Sequence, residues 1–303
     1  MRNNSMQLDV IVIGGSFAGL SAAMQLARGQ RKVTVIDAGE PRNRFSDESH
    51  GFFGLDGVSP FAIQQEAYRQ LLKYPTADII KGKAVAVEKK PSAFHVTLED
   101  NTSLHSKKLI LATGLRDELP AIPGLKERWG ATVIHCPYCH GYEVRNQPLG
   151  VIATSPLSTH QAGMIPDWGP TTYFTQGLYK PDEEQRAFLL KRGVTIESTP
   201  VVEVLGRAPE ISSVYLADGR TIRLAALFVG PKTHMASPFA EQLGCEFEEG
   251  PLGLVIKTDP FKQTSVEGVF AAGDASNPMQ NATLASASGV MAGVGAHQSL
   301  MHD

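Results

Sequence analysis

The chain of 303 residues is 42% hydrophobic and sets 28 lysines and arginines against 31 aspartates and glutamates, a formal charge of −3. That apolar content allows one large core or two domains, and the near balance of charge argues against nucleic acid or an anionic membrane surface as partner. Met1 to Gln7 is polar and the apolar run Val10 to Ile13 is too short for a signal-peptide core or a membrane span, so a cytoplasmic protein without membrane contact is expected.

Leu8 to Ile13 reads as a buried parallel strand. It runs into Gly14-Gly15-Ser16-Phe17-Ala18-Gly19, then a helical run from Leu20 to Arg28, then a strand from Lys32 to Ile36 that ends at Asp37. Strand, glycine turn, helix, strand and acid are the parts of a dinucleotide-binding unit. The glycines let backbone approach a pyrophosphate, the helix N-terminus offers N–H groups to its charge, and Asp37 can accept from a ribose. Ser16 stands where the second glycine of the motif is expected, and its small side chain is tolerated there. Gly14, Gly15, Ser16, Ala18, Gly19 and Asp37 are therefore candidate cofactor contacts.

Pro41 to Phe45 brings Arg42 and Arg44 close behind Asp37. The pair either meets the adenosine or pyrophosphate side of a nucleotide, with Arg44 a candidate contact, or lies in a solvated loop. His50 to Gly57 is glycine-rich and aromatic, which suits backbone lying against a flat ligand or a partner subunit, and adds His50 to the candidates. A helix is predicted from Pro60 to Leu72, capped by Ser59, with Phe61, Tyr68, Leu71 and Leu72 in the core. Lys83 to Glu88, Ala93 to Leu98 and Ser103 to Leu104 read as a small antiparallel meander. Leu109 to Gly114 is another buried strand, and its small end, Thr113-Gly114, can lie against a cofactor where bulk would clash. Asp117 to Gly124 carries two prolines and reads as a linker between domains.

Two of the three cysteines fall in His135-Cys136-Pro137-Tyr138-Cys139-His140-Gly141. Their spacing lets both sulfurs meet in a small ring, so the pair can cycle between dithiol and disulfide. A neighbouring imidazole can stabilise a thiolate or accept its proton. Half of a metal site and a structural disulfide are the other readings. A metal would need a second ligand pair, and the remaining cysteine, Cys245, has none beside it, so no metal is expected. Cys245 reads as a buried small hydrophobe, and the isolated His160 and His234 as surface or structural residues.

Pro148 to Ala153 is a strand, but Thr154 to Thr159 lacks a glycine fingerprint, and Pro156 denies an N–H to a phosphate. After the strand Thr171 to Thr175, the loop Gln176 to Lys180 offers a single lysine to a 2′-phosphate. A helix from Asp182 to Lys191 and a strand from Val194 to Glu197 complete a compact α/β unit whose nicotinamide-nucleotide grip looks absent. Val201 to Leu205, Ile211 to Leu216 and Thr221 to Leu224 suggest a hairpin, and Leu227 to Gly230 returns to a buried strand. Leu254 to Asp259 is a strand, and Val266 to Ala272 is a strand ending at Gly273-Asp274, where Asp274 is placed to bond a cofactor hydroxyl. A helix of small residues then opens near Asn281, Ala282 and Thr283. Its N-terminus can face the electron-rich edge of a flavin; small side chains also suit tight helix packing, but the combination with Asp274 favours the flavin role.

Gly14 to Gly19 with Asp37, Cys136 to Cys139, and Gly268 to Asp274 together resemble the low-molecular-weight thioredoxin reductase family. The resemblance covers essentially the whole chain. It implies an α/β, two-domain fold in which a Rossmann-type FAD-binding domain, residues 1–116 and 240–303, is split by an inserted smaller α/β domain, residues 117–239, that carries the cysteine pair. It also implies tightly bound FAD, a homodimer, Cys139 as the sulfur nearer the flavin and Cys136 as the one that attacks an external disulfide. His140 stands where the family usually has an acid/base aspartate. That variant is similar to the dithiol oxidases of gliotoxin- and holomycin-type metabolites and to atypical thioredoxin reductases without an NADPH grip. The resulting expectation is an NADPH-independent FAD thiol–disulfide oxidoreductase that oxidises a dithiol with oxygen or another acceptor, with Cys136, Cys139 and His140 catalytic. The alternative is an atypical thioredoxin reductase that reduces thioredoxin or a similar protein with electrons from NADPH or ferredoxin.

Overall fold

The structure is a computed structural model and describes residues 8–302; the polar stretch Met1 to Gln7 lies outside the described residues. The chain forms two compact units, one from Met1–Arg44, Pro60–Arg116 and Thr233–Asp303, the other from Phe45–Ser59 and Asp117–Lys232. In chain order the elements begin with β1 (Leu8–Ile13), α1 (Phe17–Arg28), β2 (Val33–Asp37), α2 (Pro60–Leu71), β3 (Ala77–Lys81), β4 (Ala84–Lys90), β5 (Ala93–Leu98), β6 (Ser103–Leu111) and β7 (Leu115–Glu118). There follow β8 (Val133–Ile134), α3 (Pro137–His140), β9 (Leu149–Ile152), α4 (Ser158–Met164), β10 (Thr171–Phe174), α5 (Glu183–Lys191), β11 (Thr195–Glu197), β12 (Val201–Leu205), β13 (Ser213–Leu216), β14 (Thr221–Arg223) and β15 (Ala226–Val229). The chain closes with β16 (Lys232–Met235), α6 (Phe239–Gln242), β17 (Phe247–Glu249), β18 (Leu254–Ile256), β19 (Val269–Ala271) and α7 (Ala282–Ser299).

The first unit is built on a sheet of order β3-β2-β1-β6-β5-β4, with β19 added alongside β6. Strand alternation sends Val10 and Val12 to one face and Ile11 and Ile13 to the other, and all four are buried. The first face packs on α1 and α7 with Leu26, Leu71, Ile110 and Phe270; the second packs with Phe94, Val96, Leu109, Leu111 and Val269. Helices α1 and α7 meet backbone to backbone. A Cβ on Gly289 would sit 2.1 Å from Ala18 O, and one on Gly293 would sit 2.5 Å from Ala22 O, so the small residues of α7 are what seat α1.

Three local readings change. Phe61 and Leu72 are exposed, at 69% and 54%, because Pro60, Ile63, Tyr68 and Leu71 share the buried face of α2 and each lies one position, about 100° of helix, away from it. The strands read at Ser103 to Leu104 and Leu109 to Gly114 are one strand, β6, which pairs antiparallel with β5 through Ser103–Ser106 and parallel with β19 through Leu109–Leu111. The intervening Ser106-Lys107-Lys108 hid the continuity, yet Ser106 is fully buried and its hydroxyl donates to Lys108 O at 2.7 Å. The Val201 to Leu224 hairpin is a three-stranded antiparallel sheet, β12-β13-β14.

The second unit carries a parallel sheet of order β11-β10-β9-β15-β8. Val151, Tyr173, Leu189 and Phe228 fill the core on the α4 and α5 side, and Ile152, Phe174, Leu227 and Val229 fill the core on the β12-β13-β14 side. Phe45–Ser59, although it lies between β2 and α2 in sequence, packs with this unit. Gly130 has φ +84°, and a Cβ there would fall 2.6 Å from Phe45 Cβ.

Candidate active site

In the first unit β1, β2, β6 and β19 are parallel, so their C-terminal ends share one edge of the sheet. That edge gathers Gly14 and Gly15, Asp37, Thr113 and Gly114, and Gly273 and Asp274. Because β2 and β6 flank β1 on opposite sides, the crevice lies at a topological switch point, where open α/β sheets hold nucleotides. The glycines have individual reasons. Gly14 has φ +115° and a Cβ would lie 2.1 Å from Ala112 O; a Cβ on Gly19 would lie 1.8 Å from Gly14 O; one on Gly15 would lie 2.5 Å from Asp37 Cβ. Gly114 differs: at φ +69° its missing Cβ would point into open space. The Ser16 side chain makes no capping bond to α1, and a helix N-terminus suits a ligand anion.

Residues beyond the candidate cofactor contacts stiffen this edge. Tyr68 OH donates to Asp37 Oδ2 and lies 3.2 Å from Gly15 O, and Gln64 Nε2 donates to Gly15 O at 2.6 Å. Burial, reinforced by the Asp37 carboxylate, pushes the Tyr68 phenol well above its ordinary pKa. Asp37 Oδ1 accepts from Gly39 N–H at 3.0 Å. Arg42 Nη1 donates to Asp274 Oδ2 at 2.9 Å and to Gln280 Oε1 at 2.6 Å. Gly273 N–H donates to the buried Ser288 Oγ of α7 at 2.8 Å. The clue to Tyr68, Gln64 and Ser288 in sequence was only their helical spacing. Arg44 is exposed and donates to Pro41 O at 2.9 Å. Asn281 caps α7, its Oδ1 accepting from Thr283 and Leu284 N–H at 2.8 and 3.3 Å, and Ala282 and Thr283 form the capped first turn. His50 belongs to the second unit, with the cysteine pair. Side-chain-free backbone, helix-start donors and an acid at a strand end, met at a switch point, fit the FAD cofactor.

In the second unit Cys136 is the extended residue (φ −96°, ψ 115°) that opens α3, with Pro137 in its first turn and Cys139 one turn on. Both sulfurs are partly exposed thiols. The Cys139 thiol donates to Cys136, and the N–H groups of Cys139 and Tyr138 also point at the Cys136 sulfur; together these outweigh burial and lower its pKa to about 7. Donating that bond, and burial, raise the Cys139 pKa. The pair is thus polarised, with the thiolate on Cys136. His140 ends α3, and burial lowers its pKa against the opposing pull of Glu143, so the ring is neutral near pH 7. Its Nε2 lies 3.2 Å from Ser46 Oγ. Gln161 Nε2 donates to His135 O at 2.8 Å and secures the entry to α3. Cys245 is buried elsewhere, its thiol 3.6 Å from Thr264 Oγ1. Among the described residues no group of three or more His, Cys, Asp or Glu side chains could hold a metal ion, and no helix is long and apolar enough to cross a membrane.

The second parallel sheet has its own switch point, since β10 and β15 flank β9. The loop there is held by Ser158, whose Oγ accepts from Thr154 and Ser155 N–H at 3.0 and 3.3 Å, while Thr154 Oγ1 donates to Gly230 O at 2.6 Å.

A dinucleotide cradle on one unit and a polarised cysteine pair on the other define an FAD-dependent disulfide oxidoreductase. The sequence matches the family described as Pyridine nucleotide-disulphide oxidoreductase over residues 8–289. The chain belongs to that family, and within it to the low-molecular-weight thioredoxin reductases. It is 34% identical to thioredoxin reductase sirT of Leptosphaeria maculans, with 95% of this chain and 92% of the relative covered. It is 33% identical to thioredoxin reductase tcpT of Claviceps purpurea, with 98% and 95% covered. Among solved structures it superposes on an oxidoreductase from Agrobacterium tumefaciens with TM-score 0.94 and 49% identity, covering 98% and 99% of the two chains.

These likenesses correct one expectation. An NADPH-independent dithiol oxidase is not supported: relatives aligned over nearly their whole length are named thioredoxin reductases, and the match to the family described as Pyridine nucleotide-disulphide oxidoreductase runs through the Thr154 to Lys180 segment. A missing glycine fingerprint was the wrong criterion there. The crevice between β9 and β15 comes from strand order, and its loop is shaped by Ser158 instead of glycine.

Proposed function

We propose that the chain is a thioredoxin reductase-type enzyme that passes two electrons from NADPH, through FAD, to the disulfide of thioredoxin or a similar small protein. The polarised cysteine pair carries this reading. FAD, when bound, supplies two-electron chemistry between nucleotide and thiols, and Gly14, Gly15, Ser16, Ala18, Gly19, Asp37, Thr113, Gly114, Gly273 and Asp274 would hold it. With the pair reduced, the Cys136 thiolate attacks a sulfur of the partner disulfide and releases one partner thiolate, leaving a mixed disulfide. Cys139 then gives its proton to the neutral His140 and attacks Cys136, closing the Cys136–Cys139 disulfide and releasing the second partner sulfur. His140 returns the proton to a leaving thiolate. One disulfide is reduced and one formed, so electrons balance. Cys139, the less acidic sulfur, suits the flavin side, and the exposed Tyr138 and Tyr142 beside the pair suit a protein partner. A homodimer and a reducing cytoplasmic setting complete the reading, on the family resemblance.

The deciding experiment is an anaerobic titration of the holoenzyme with NADPH followed by oxidised thioredoxin. Flavin absorbance should bleach on the first addition and return on the second. No bleaching with excess NADPH would overturn the nucleotide route.

A further inference from the structure

Segment Phe45–Ser59 leaves the nucleotide-binding unit and packs on the one that holds the cysteines. Close contact explains why: Gly130, in a left-handed conformation at φ +84°, presents bare backbone to Phe45, whose O would lie 2.9 Å from any Cβ there. This fixes Ser46, whose Oγ lies 3.5 Å from Gly130 O and 3.2 Å from His140 Nε2. A hydroxyl has one proton, and a carbonyl can only accept. Both contacts are hydrogen bonds together only if Ser46 donates to Gly130 O and accepts from an Nε2–H of His140.

We infer that Ser46 is a positioning residue for the thiol chemistry: its hydroxyl accepts from His140 Nε2–H, so that Nδ1 is the nitrogen that takes up and returns the thiol proton. This rests on His140 serving as proton carrier in the proposed function. The arrangement holds in both states of the ring, because Nε2 carries hydrogen whether His140 is neutral or charged, and no group has to turn during transfer. His140 also faces His50 edge-on, with ring centroids 6.4 Å apart, and Glu143 on its own segment. His50 is in turn bracketed by Glu48, Asp56 and Glu143 at 3.3, 3.6 and 3.6 Å. These groups, and the two thiols of α3, set the field on the ring, but only Ser46 fixes which nitrogen is protonated.

The test is an NMR titration of histidine-labelled holoenzyme, with His140→Asn assigning the signal, in wild type, Ser46→Ala and Ser46→Thr. The neutral wild-type ring should show Nε2 protonated; an Nδ1-protonated ring overturns the inference with no variant needed. A hydrogen bond to the charged ring is stronger than one to the neutral ring, so losing the acceptor should lower the His140 pKa by roughly half a unit in S46A, with S46T restoring it. A rise would mean that Ser46 donates to a bare nitrogen, and no change would mean that it does not hold the ring; either result defeats the inference. The titration needs no turnover, so it stands apart from the proposed function. Where the enzyme turns over, the acid limb of its kcat profile should move with the S46A shift.

Discussion

At the scale of single residues the chemistry depends on an inequality between two sulfurs three positions apart. Cys136 gathers the Cys139 thiol and two backbone N–H groups, whereas Cys139 spends its proton on Cys136. Alkylation of the reduced enzyme should therefore follow a thiolate that forms near pH 7, and mass spectrometry should place the label on Cys136. In Cys139→Ala the largest stabilising contact is gone, and the midpoint should climb toward the ordinary thiol value of 9.0. Cys139→Ser keeps a hydroxyl donor and should fall between. An unmoved midpoint in the alanine variant would show that the backbone donors alone hold the thiolate. The linkage has a defined sign. A depressed thiol pKa adds stability to the reduced fold as pH rises from about 7 to 9, and that increment is lost as pH falls back through 7. The two cysteines and His140 were legible in sequence because their spacing is local. Ser46 and the contacts of Tyr68 and Arg42 were not, because each acts on a residue many positions away through a contact that only the fold creates.

At the scale of elements the flavin edge depends on α7 as much as on the glycine turn itself. Backbone contact between α7 and α1 at Gly289 and Ala18 sets where α1 begins, and Ser288, one residue earlier, holds Gly273. Gly289→Ala should drive α7 off α1, at a cost of about 1–3 kcal/mol as for other overpacked sites. The purified protein should then carry less flavin, measured as the ratio of flavin to protein absorbance, while its cysteines still react. Full flavin content in G289A would mean that α1 is seated by the sheet alone. The sequence shows α7 as a run of small residues, and next to Asp274 that favours a cofactor role over packing. The packing role is visible at Gly289 and Gly293, and the α7 N-terminus is capped by its own Asn281. Likewise β6 was divided in the reading because Lys107 and Lys108 broke the apolar pattern; pairing with different partners along its length is a tertiary fact that no local pattern carries.

At the scale of the molecule, alternating strands and helices point to the α/β class, and the split cofactor domain is what the resemblance to the thioredoxin reductase family implies. The direction of electron flow was misread for a related reason. Composition at the β9–α4 loop says little about nucleotide binding, because a crevice of that kind comes from strand order, which a single chain does not display. Sedimentation of the holoenzyme should give twice the mass of one chain; a monomer at micromolar concentration would remove the homodimer from the reading.

Strand β19 and helix α7 are the last elements of the chain, and both belong to the nucleotide-binding edge: β19 lies on β6, and α7 lies on α1. The unit that bears the cysteines is complete in sequence before β19, while the glycine turn takes partners more than 240 residues downstream of it. The flavin edge accordingly depends on segments far apart in the chain, whereas the thiol pair depends on segments that lie between them.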